Sequence, residues 1–455
     1  MTVLRSCRLP DLGCYEVLYH RGGAANLRCF FLALVVVLTL VVLNMTGCSA
    51  RPLLYDVQFY PNVISPNADG HDDAANVVYK LSRNASLSIY VIDAAGERHY
   101  HRNGEQRSAQ AESYWTLFGG VVDVPDGGPI QRRMLPDGQY TWVIEATDDS
   151  GHTEKAEGSL TIVDADTTLP ELRGFSVYPQ VFSPNRDGVD DHVTINYFLP
   201  KPANVRVYLE SEAGQKVFLP ETVSQRIKPG EVGLHQYDYE GGVDLGVVPP
   251  PDGTYTVTAI SEDILGQRVE EHSILTIQHG GVPRADIIKA EVEYSTSEGL
   301  RGDFTSLTIP LGATLYFTAT VENYGDTPVR TTGPQPGTTY TSRQNFSTLE
   351  WYQSDGAWRF GLDFEENPGY PYPFRWSLGR PDELEAVVKG DDVFYYLMPG
   401  QRVTISGAIQ ILDKPPRNPF YLWAGLIHEG VEIVQNRVDP ILITVDVPST
   451  GAWNQ

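Results

Sequence analysis

The sequence predicts an all-β protein built of tandem β-sandwiches behind an exported N-terminus, and three observations support this class. A fourteen-residue segment occurs twice, at an offset of 178 − 60 = 118 residues, which is the size of one sandwich domain. Many short segments alternate apolar and polar residues, as half-buried strands do. Gly, Pro, Tyr and Thr are frequent, and no long segment has the period of an amphipathic helix.

The repeated segment defines two acidic corners in the chain. It reads YPNVISPNADGHDD at 60–73 and YPQVFSPNRDGVDD at 178–191, with ten of fourteen positions identical. Proline fixes φ, Asn and Asp can bond to their own backbone, and glycine accepts positive φ. We therefore expect a tight turn, called the first corner (65–73) and the second corner (183–191), that leads into a strand in each copy.

The second corner matches the motif F-S-P-N-x-D-G-x-x-D and thereby resembles the Ig-like domain of flagellar hook-capping proteins and some secreted subtilisin-like proteases (the FlgD/Vpr type). A later D-G-x-Y-T segment, at 137–141 and 252–256, belongs to the same pattern. The W-D-G turn usual in that family is replaced in both copies. The resemblance implies two Ig-like, fibronectin-like sandwiches of about seven strands with one strand order, at 54–164 (domain 1) and 172–279 (domain 2).

Residues 286–447 lack the repeated corner but still contain strand patterns, so we predict a third Ig-like sandwich there (domain 3). The turns Glu322-Asn323-Tyr324-Gly325 and Met398-Pro399-Gly400 resemble those of bacterial cell-adhesion-related Ig-like domains. Residues 448–455 are predicted to form a disordered tail.

The N-terminus has the pattern of an export signal. Residues 30–43 are fourteen apolar or near-apolar residues without a charge, fewer than the roughly 20 that span a bilayer, which favours a signal peptide at 1–47. The following Met-Thr-Gly-Cys resembles the bacterial lipobox, with Met45 in place of the usual Leu. The resemblance implies that Cys48 is lipidated, that 48–53 is a tether, and that acyl chains hold the protein on the extracytoplasmic face of the envelope. The alternative is a plain transmembrane anchor.

Composition excludes several classes of function. All four cysteines lie at or before position 48, so a disulfide scaffold or a cysteine nucleophile is excluded from the remaining chain. Without residues 1–47 the chain has 455 − 47 = 408 residues with 34 − 4 = 30 basic and 58 − 2 = 56 acidic groups, a net charge of −26. Such a chain repels nucleic acid and anionic lipid, so we predict no nucleic-acid partner and membrane attachment through acyl chains alone.

Each corner brings together oxygen-bearing side chains, which calcium prefers in sets of six to eight. The candidate calcium ligands are Asn67, Asp69, Asp72, Asp73, Asn185, Asp187, Asp190 and Asp191. On an EF-hand loop the twelfth residue would be Asn76 or Thr194 instead of the bidentate Glu, so other ligands would have to complete a site. The alternative is an ion-free corner held by hydrogen bonds.

An aromatic stretch at 351–376 is the candidate ligand-binding region. Its segment 367–374 is too rich in proline for a central strand, so we predict a loop that displays Tyr370, Tyr372 and Trp376. Flat rings beside polar groups stack on sugars or proline-rich chains. The alternative is that the other rings of the stretch, Trp351, Trp358, Phe360 and Phe364, belong to the sandwich core.

The sequence contains no metalloprotease, serine-hydrolase or phosphate-binding motif, so we predict that the protein is not an enzyme. The first functional prediction is a surface-displayed lipoprotein for adhesion, binding or envelope structure, with a protein or glycan ligand. The alternative is a carbohydrate-binding lipoprotein of a polysaccharide-handling system that uses the stretch 351–376. Fold class alone does not separate the two.

Overall fold

The computed structural model describes residues 51–125, 127–222, 226–302 and 304–447. The predicted signal peptide, the lipidation site at Cys48 and the predicted tail lie outside these residues. Within them the chain forms 32 strands and three short 3₁₀ helices, at Val243–Leu245, Ile288–Ala290 and Phe346–Leu349. No helix among the described residues is long and apolar enough to span a membrane. The chain is therefore all-β, as predicted.

Domain 1 is a sandwich whose inward side chains alternate with outward ones. Its strands are β1 (Leu54–Tyr60), β2 (Val63–Ile64), β3 (Ala75–Leu81), β4 (Ala85–Ile92), β5 (Arg98–Arg107), β6 (Tyr114–Phe118), β7 (Val121–Asp123), β8 (Ile130–Met134), β9 (Gly138–Asp148) and β10 (Thr153–Ile162). One sheet has the order β1-β3-β6 and the other β2-β10-β9-β4-β5. The pattern of β3 shows the rule, since Ala75, Val77, Tyr79 and Leu81 are buried in the core between the sheets.

Domain 2 repeats this arrangement. Its strands are β11 (Arg173–Tyr178), β12 (Val181–Phe182), β13 (Val193–Leu199), β14 (Asn204–Ser211), β15 (Lys216–Leu219), β16 (Gly233–Tyr239), β17 (Gly253–Glu262) and β18 (Arg268–Ile277). The orders β11-β13-β16 and β15-β14-β17-β18, with β12 beside β18, match those of domain 1 strand for strand. The shared unit has eight strands instead of about seven, because the two residues before each corner pair in parallel with the last strand.

Domain 3 is a larger sandwich with its own core. Its strands are β19 (Ala285–Ile287), β20 (Glu293–Thr296), β21 (Arg301–Gly302), β22 (Ser306–Pro310), β23 (Thr314–Asn323), β24 (Val329–Thr331), β25 (Thr339–Thr341), β26 (Trp358–Phe364), β27 (Phe374–Ser377), β28 (Glu385–Lys389), β29 (Asp392–Leu397), β30 (Arg402–Gln410), β31 (Phe420–His428) and β32 (Glu432–Asp446). One sheet has the order β21-β20-β23-β30-β25, with β19 beside β23. The other has the order β22-β32-β31-β26-β24-β29-β28, with β27 beside β26.

Domains 1 and 2 share a sheet, which the sequence did not predict. The hairpin β7–β8 of domain 1 pairs with β18 of domain 2, so that Ile130 lies opposite Val269. The buried amide of Gln267 accepts a hydrogen bond from the N–H of Met134 (3.1 Å) and donates to the carbonyl of Thr168 (2.9 Å). The connection between the two domains is therefore held by hydrogen bonds on both sides.

Candidate functional site

Both corners are closed by backbone hydrogen bonds to the carboxylate of their last aspartate, although one of the three donor positions differs. In the first corner, the Asp73 carboxylate accepts hydrogen bonds from the backbone N–H groups of Asn67 (3.2 Å), Ala68 (2.8 Å) and Gly70 (2.9 Å). In the second corner, Asp191 plays the same part toward residues 185, 187 and 188. The last aspartate of each corner therefore closes its own turn, in the way expected of the ion-free alternative.

The second corner differs from the first in its surroundings, because it docks on domain 3. The Arg330 guanidinium donates to the carbonyl oxygen of Asp187, and the Tyr396 hydroxyl donates to the Asp187 carboxylate (3.0 Å). His428 Nε2 lies 2.7 Å from the carbonyl oxygen of Arg186 and donates to it. Asp187 is buried by these contacts, whereas the equivalent Asp69 is exposed. The second corner thus joins domains 2 and 3.

Burial at this joint shifts two pKa values. It raises the pKa of Asp187 to about 6, with the nearby Asp191 carboxylate adding to the effect. It lowers the pKa of His428 to about 4. At neutral pH the imidazole is therefore uncharged, which suits its donation of one N–H to a carbonyl oxygen.

At neither corner do three described acidic or histidine side chains bring their ligand atoms within 4.8 Å of one another. Among the described residues, the one such group of three or more is Asp93, Glu97 and His99, on a hairpin remote from the corners in sequence. At the corners the carboxylates accept backbone N–H groups. The geometry therefore favours the ion-free alternative, and calcium binding there stays a prediction.

A thermal melt decides between the two alternatives at the corners. The ion-free alternative predicts the same melting temperature in chelator and in about 5 mM calcium, several times the dissociation constant of about 0.1–1 mM typical of extracellular sites. A bound ion would instead raise it by a few degrees, since tenfold excess over the dissociation constant adds about 1.4 kcal/mol. Such a rise, if it vanished in the Asp69→Asn, Asp187→Asn double variant, would establish the calcium sites.

A polar cleft in domain 3 lies where the aromatic stretch folds against an earlier loop. Its volume is about 470 Å³, within the usual range of ligand sites. Two tyrosines on its lining, Tyr352 and Tyr370, are 71% and 76% exposed. Phe346, Phe364 and Phe374 supply apolar surface beneath them. Four amide side chains also line it: Gln344, Asn345, Gln353 and Asn367.

The structure corrects the prediction for two of the three displayed rings. Trp376 is buried in the core, where it packs against Phe317 and where Gly407 leaves it room. Tyr372 is also buried, because its ring lies over Gly361 and Gly425, which have no side chains in its way. Neither ring can stack on a ligand. Tyr370 alone of the predicted three is exposed at the cleft.

Three buried charges hold the walls of this cleft. Glu429 lies between Arg359 (2.9 Å) and Arg375 (2.6 Å), and all three side chains are buried. Arg359 donates to the carbonyl oxygen of Tyr352 (2.9 Å), whereas Arg375 donates to that of Pro371 (2.8 Å). The trio therefore fixes the backbone beside both exposed tyrosines.

The same trio reaches the joint with domain 2. Glu429 accepts a hydrogen bond from the N–H of Ser354 (2.7 Å). The carbonyl oxygen of the next residue, Asp355, accepts a hydrogen bond from the Arg330 guanidinium. A segment of three residues, 353–355, thus lies between the cleft and the second corner. The one signal for this network in the sequence is the presence of Arg359 and Arg375 inside largely apolar strands.

A smaller cavity of about 150 Å³ lies beside the cleft, at the apolar end of the sandwich. It shares Ser342, Phe364 and Phe374 with the cleft and is otherwise lined mainly by core side chains. Its polar lining is limited to Ser342, Asp413 and Lys414, so it offers fewer groups to orient a polar ligand than the cleft does.

Comparisons with known proteins assign no family. No protein-family model matches the sequence, and no curated protein matches it. Among solved structures, a Ca²⁺-stabilized adhesin that helps an Antarctic bacterium bind ice is 12% identical, over 87% of this chain and 74% of that chain, with a TM-score of 0.24. The chicken CNTN1 FN1–FN3 domains are 9% identical, over 85% and 98%, with a TM-score of 0.24.

A third solved structure is the Bacteroides ovatus mixed-linkage glucan utilization locus protein SGBP-B, in complex with a mixed-linkage heptasaccharide. It is 8% identical, over 86% of this chain and 71% of that chain, with a TM-score of 0.14. Identities and TM-scores this low establish no family membership, and the fold class rests on the sheets themselves.

Proposed function

We propose that the protein is a non-enzymatic, surface-displayed binding module and that domain 3 binds a neutral glycan in its cleft. The observation that carries the proposal is the pair of exposed tyrosines, Tyr352 and Tyr370, on one cleft with four amides. A sugar ring has apolar C–H faces that pack on aromatic rings, and its hydroxyls pair with amide groups, which both donate and accept.

The charges at the cleft favour a neutral ligand. Arg343 forms a bidentate pair with Asp413 (2.7 Å for both bonds), so its guanidinium is already neutralised. The lining includes no carboxylate among the described residues. A charged glycan would therefore find no unpaired counter-charge, and glycoside hydrolysis, which uses two carboxylates, has no such pair at this site.

Domains 1 and 2 serve in this proposal as the spacer that presents domain 3 to the surroundings. Attachment at Cys48, on the extracytoplasmic face of the envelope, would place the cleft at the far end of the chain from the membrane anchor. Cys48→Ala should abolish acylation and release or stall the precursor. Uptake of labelled palmitate by that variant would refute the lipid anchor.

Alanine at Tyr352 and Tyr370 tests the cleft. On a glycan array, wild-type protein should bind a set of neutral glycans, and the double variant should lose about tenfold or more in affinity, since buried aromatic anchors commonly contribute 2 kcal/mol or more. The matched control is Tyr324→Ala, an exposed tyrosine of domain 3 outside the cleft lining.

Two outcomes would contradict the cleft proposal. One is equal glycan binding by wild type and the Tyr352→Ala, Tyr370→Ala variant. The other is binding of proline-rich peptides in place of glycans, because polyproline chains also dock on exposed aromatic rings.

A further inference from the structure

One face of the three-stranded sheet of domain 1 is exposed and carries large apolar side chains. The register places Gln58, Val78 and Trp115 in one row across the strands, and Tyr60, Asn76 and Leu117 in the next. We call these six residues the platform. Tyr60 and Trp115 are 73% and 71% exposed, and Leu117 is 52% exposed.

The duplicate shows that the fold does not need Trp115 or Leu117. In domain 2 the position of Trp115 is occupied by Gln236 and that of Leu117 by Asp238, as the pairing of β16 with β13 shows. The two sheets have the same strand order with either set of residues. Because tryptophan exposed to water is unfavourable and the fold does without it, Trp115 and Leu117 point to binding.

The size of the platform argues against a stable protein partner. Neighbouring strands lie about 4.8 Å apart and residues two apart along a strand about 7 Å, so two rows on three strands cover roughly 200 Å². A stable protein interface needs about 800 Å² on each side. A ligand that lies flat on one short sheet is small or chain-like.

The side chains of the platform favour an uncharged ligand. The six residues include no charge, although the protein as a whole has a formal net charge of −24. Two aromatic rings flank the amides Gln58 and Asn76, which can pair with hydroxyl groups. We propose that the platform binds a neutral polysaccharide lying flat across the three strands, at a site independent of the domain 3 cleft.

Native electrophoresis through gels that contain a polysaccharide tests this proposal, since an acidic protein that binds the polymer is retarded. The probes are hydroxyethylcellulose, xyloglucan and dextran as neutral polymers and alginate as an anionic one. Wild-type protein should be retarded by at least one neutral polymer and not by alginate. In the Tyr352→Ala, Tyr370→Ala background, which lacks the cleft site, the added changes Trp115→Gln and Leu117→Asp install the residues of the duplicate and should weaken binding about tenfold or more.

Two controls make the result specific to the platform. Tyr178→Ala removes the exposed tyrosine equivalent to Tyr60 in domain 2 and should leave retardation unchanged. The Tyr352→Ala, Tyr370→Ala variant separates the two sites, because platform binding persists in it. Circular dichroism and thermal melting confirm that the platform variant is folded, as its match to domain 2 predicts.

Three results would overturn the platform. One is the absence of retardation by every neutral polymer. Another is equal retardation of the Tyr352→Ala, Tyr370→Ala variant with and without the Trp115→Gln, Leu117→Asp changes, which would leave the domain 3 proposal standing. The third is a change from dimer to monomer in sedimentation of the platform variant, which would make this face a contact between two copies of the chain.

Discussion

Alanine at Gly188 should separate domains 2 and 3, whereas alanine at Gly70 should have a small effect. Both glycines occupy the same position of the duplicated corner, with φ of +78° and +88°. Strain from the positive φ costs about 1 kcal/mol in either place. A Cβ on Gly188 would in addition overlap the carbonyl oxygen of Asp355, whereas at Gly70 no atom lies within 4 Å. Overpacking of this kind costs about 1–3 kcal/mol more.

Limited proteolysis and small-angle scattering measure this difference. We expect the Gly188→Ala protein to be cleaved near residues 279–285 and to have a larger radius of gyration, while Gly70→Ala behaves as wild type. Equal behaviour of the two variants would mean that the second corner does not hold domain 3 in place.

Replacing Glu429 by glutamine should destabilise domain 3 by about 3–5 kcal/mol, because it leaves two buried guanidinium groups without their counter-charge. The control is Glu365→Gln. Glu365 pairs with Arg417 at 2.5 Å, but the arginine side chain is 53% exposed, so its loss should cost about 0–1 kcal/mol. Urea unfolding followed by tryptophan fluorescence measures both, with the transition of domain 3 analysed separately from those of domains 1 and 2.

The Glu429→Gln variant should also bind glycan more weakly below its unfolding transition, since the trio fixes the backbone beside Tyr352 and Pro371. Equal stability losses in Glu429→Gln and Glu365→Gln would show that the buried trio is not needed to hold the cleft walls. A normal affinity in a destabilised Glu429→Gln protein would separate the stability of domain 3 from the geometry of its site.

The repeat made the two N-terminal sandwiches predictable. Residues shared between 60–73 and 178–191 are those that a tight turn requires, and the strands that follow alternate clearly. The sequence did not predict that the second corner packs against domain 3 while the first corner stays exposed. Asp69 and Asp187 stand in near-identical sequences, yet one is exposed and the other is buried against Tyr396, because burial depends on a domain more than 100 residues away.

The aromatic stretch shows why site residues were harder to predict than strands. Tyr370 and Tyr372 are two residues apart in the same proline-rich segment, but one is exposed and the other is buried. The difference comes from Gly361 and Gly425, on two other strands, which leave space for the Tyr372 ring. The sequence around Tyr372 does not indicate that this space exists. The pairing of the hairpin β7–β8 could not be predicted for a similar reason, since its partner strand belongs to another domain.

A crystal structure of residues 51–447 with a neutral glycan selected on the array tests the central claim most directly. We expect a sugar ring in the domain 3 cleft, packed against Tyr352 or Tyr370, with its hydroxyls within hydrogen-bond distance of the lining amides. A glycan bound with full occupancy elsewhere on domain 3, with the cleft empty, would contradict it.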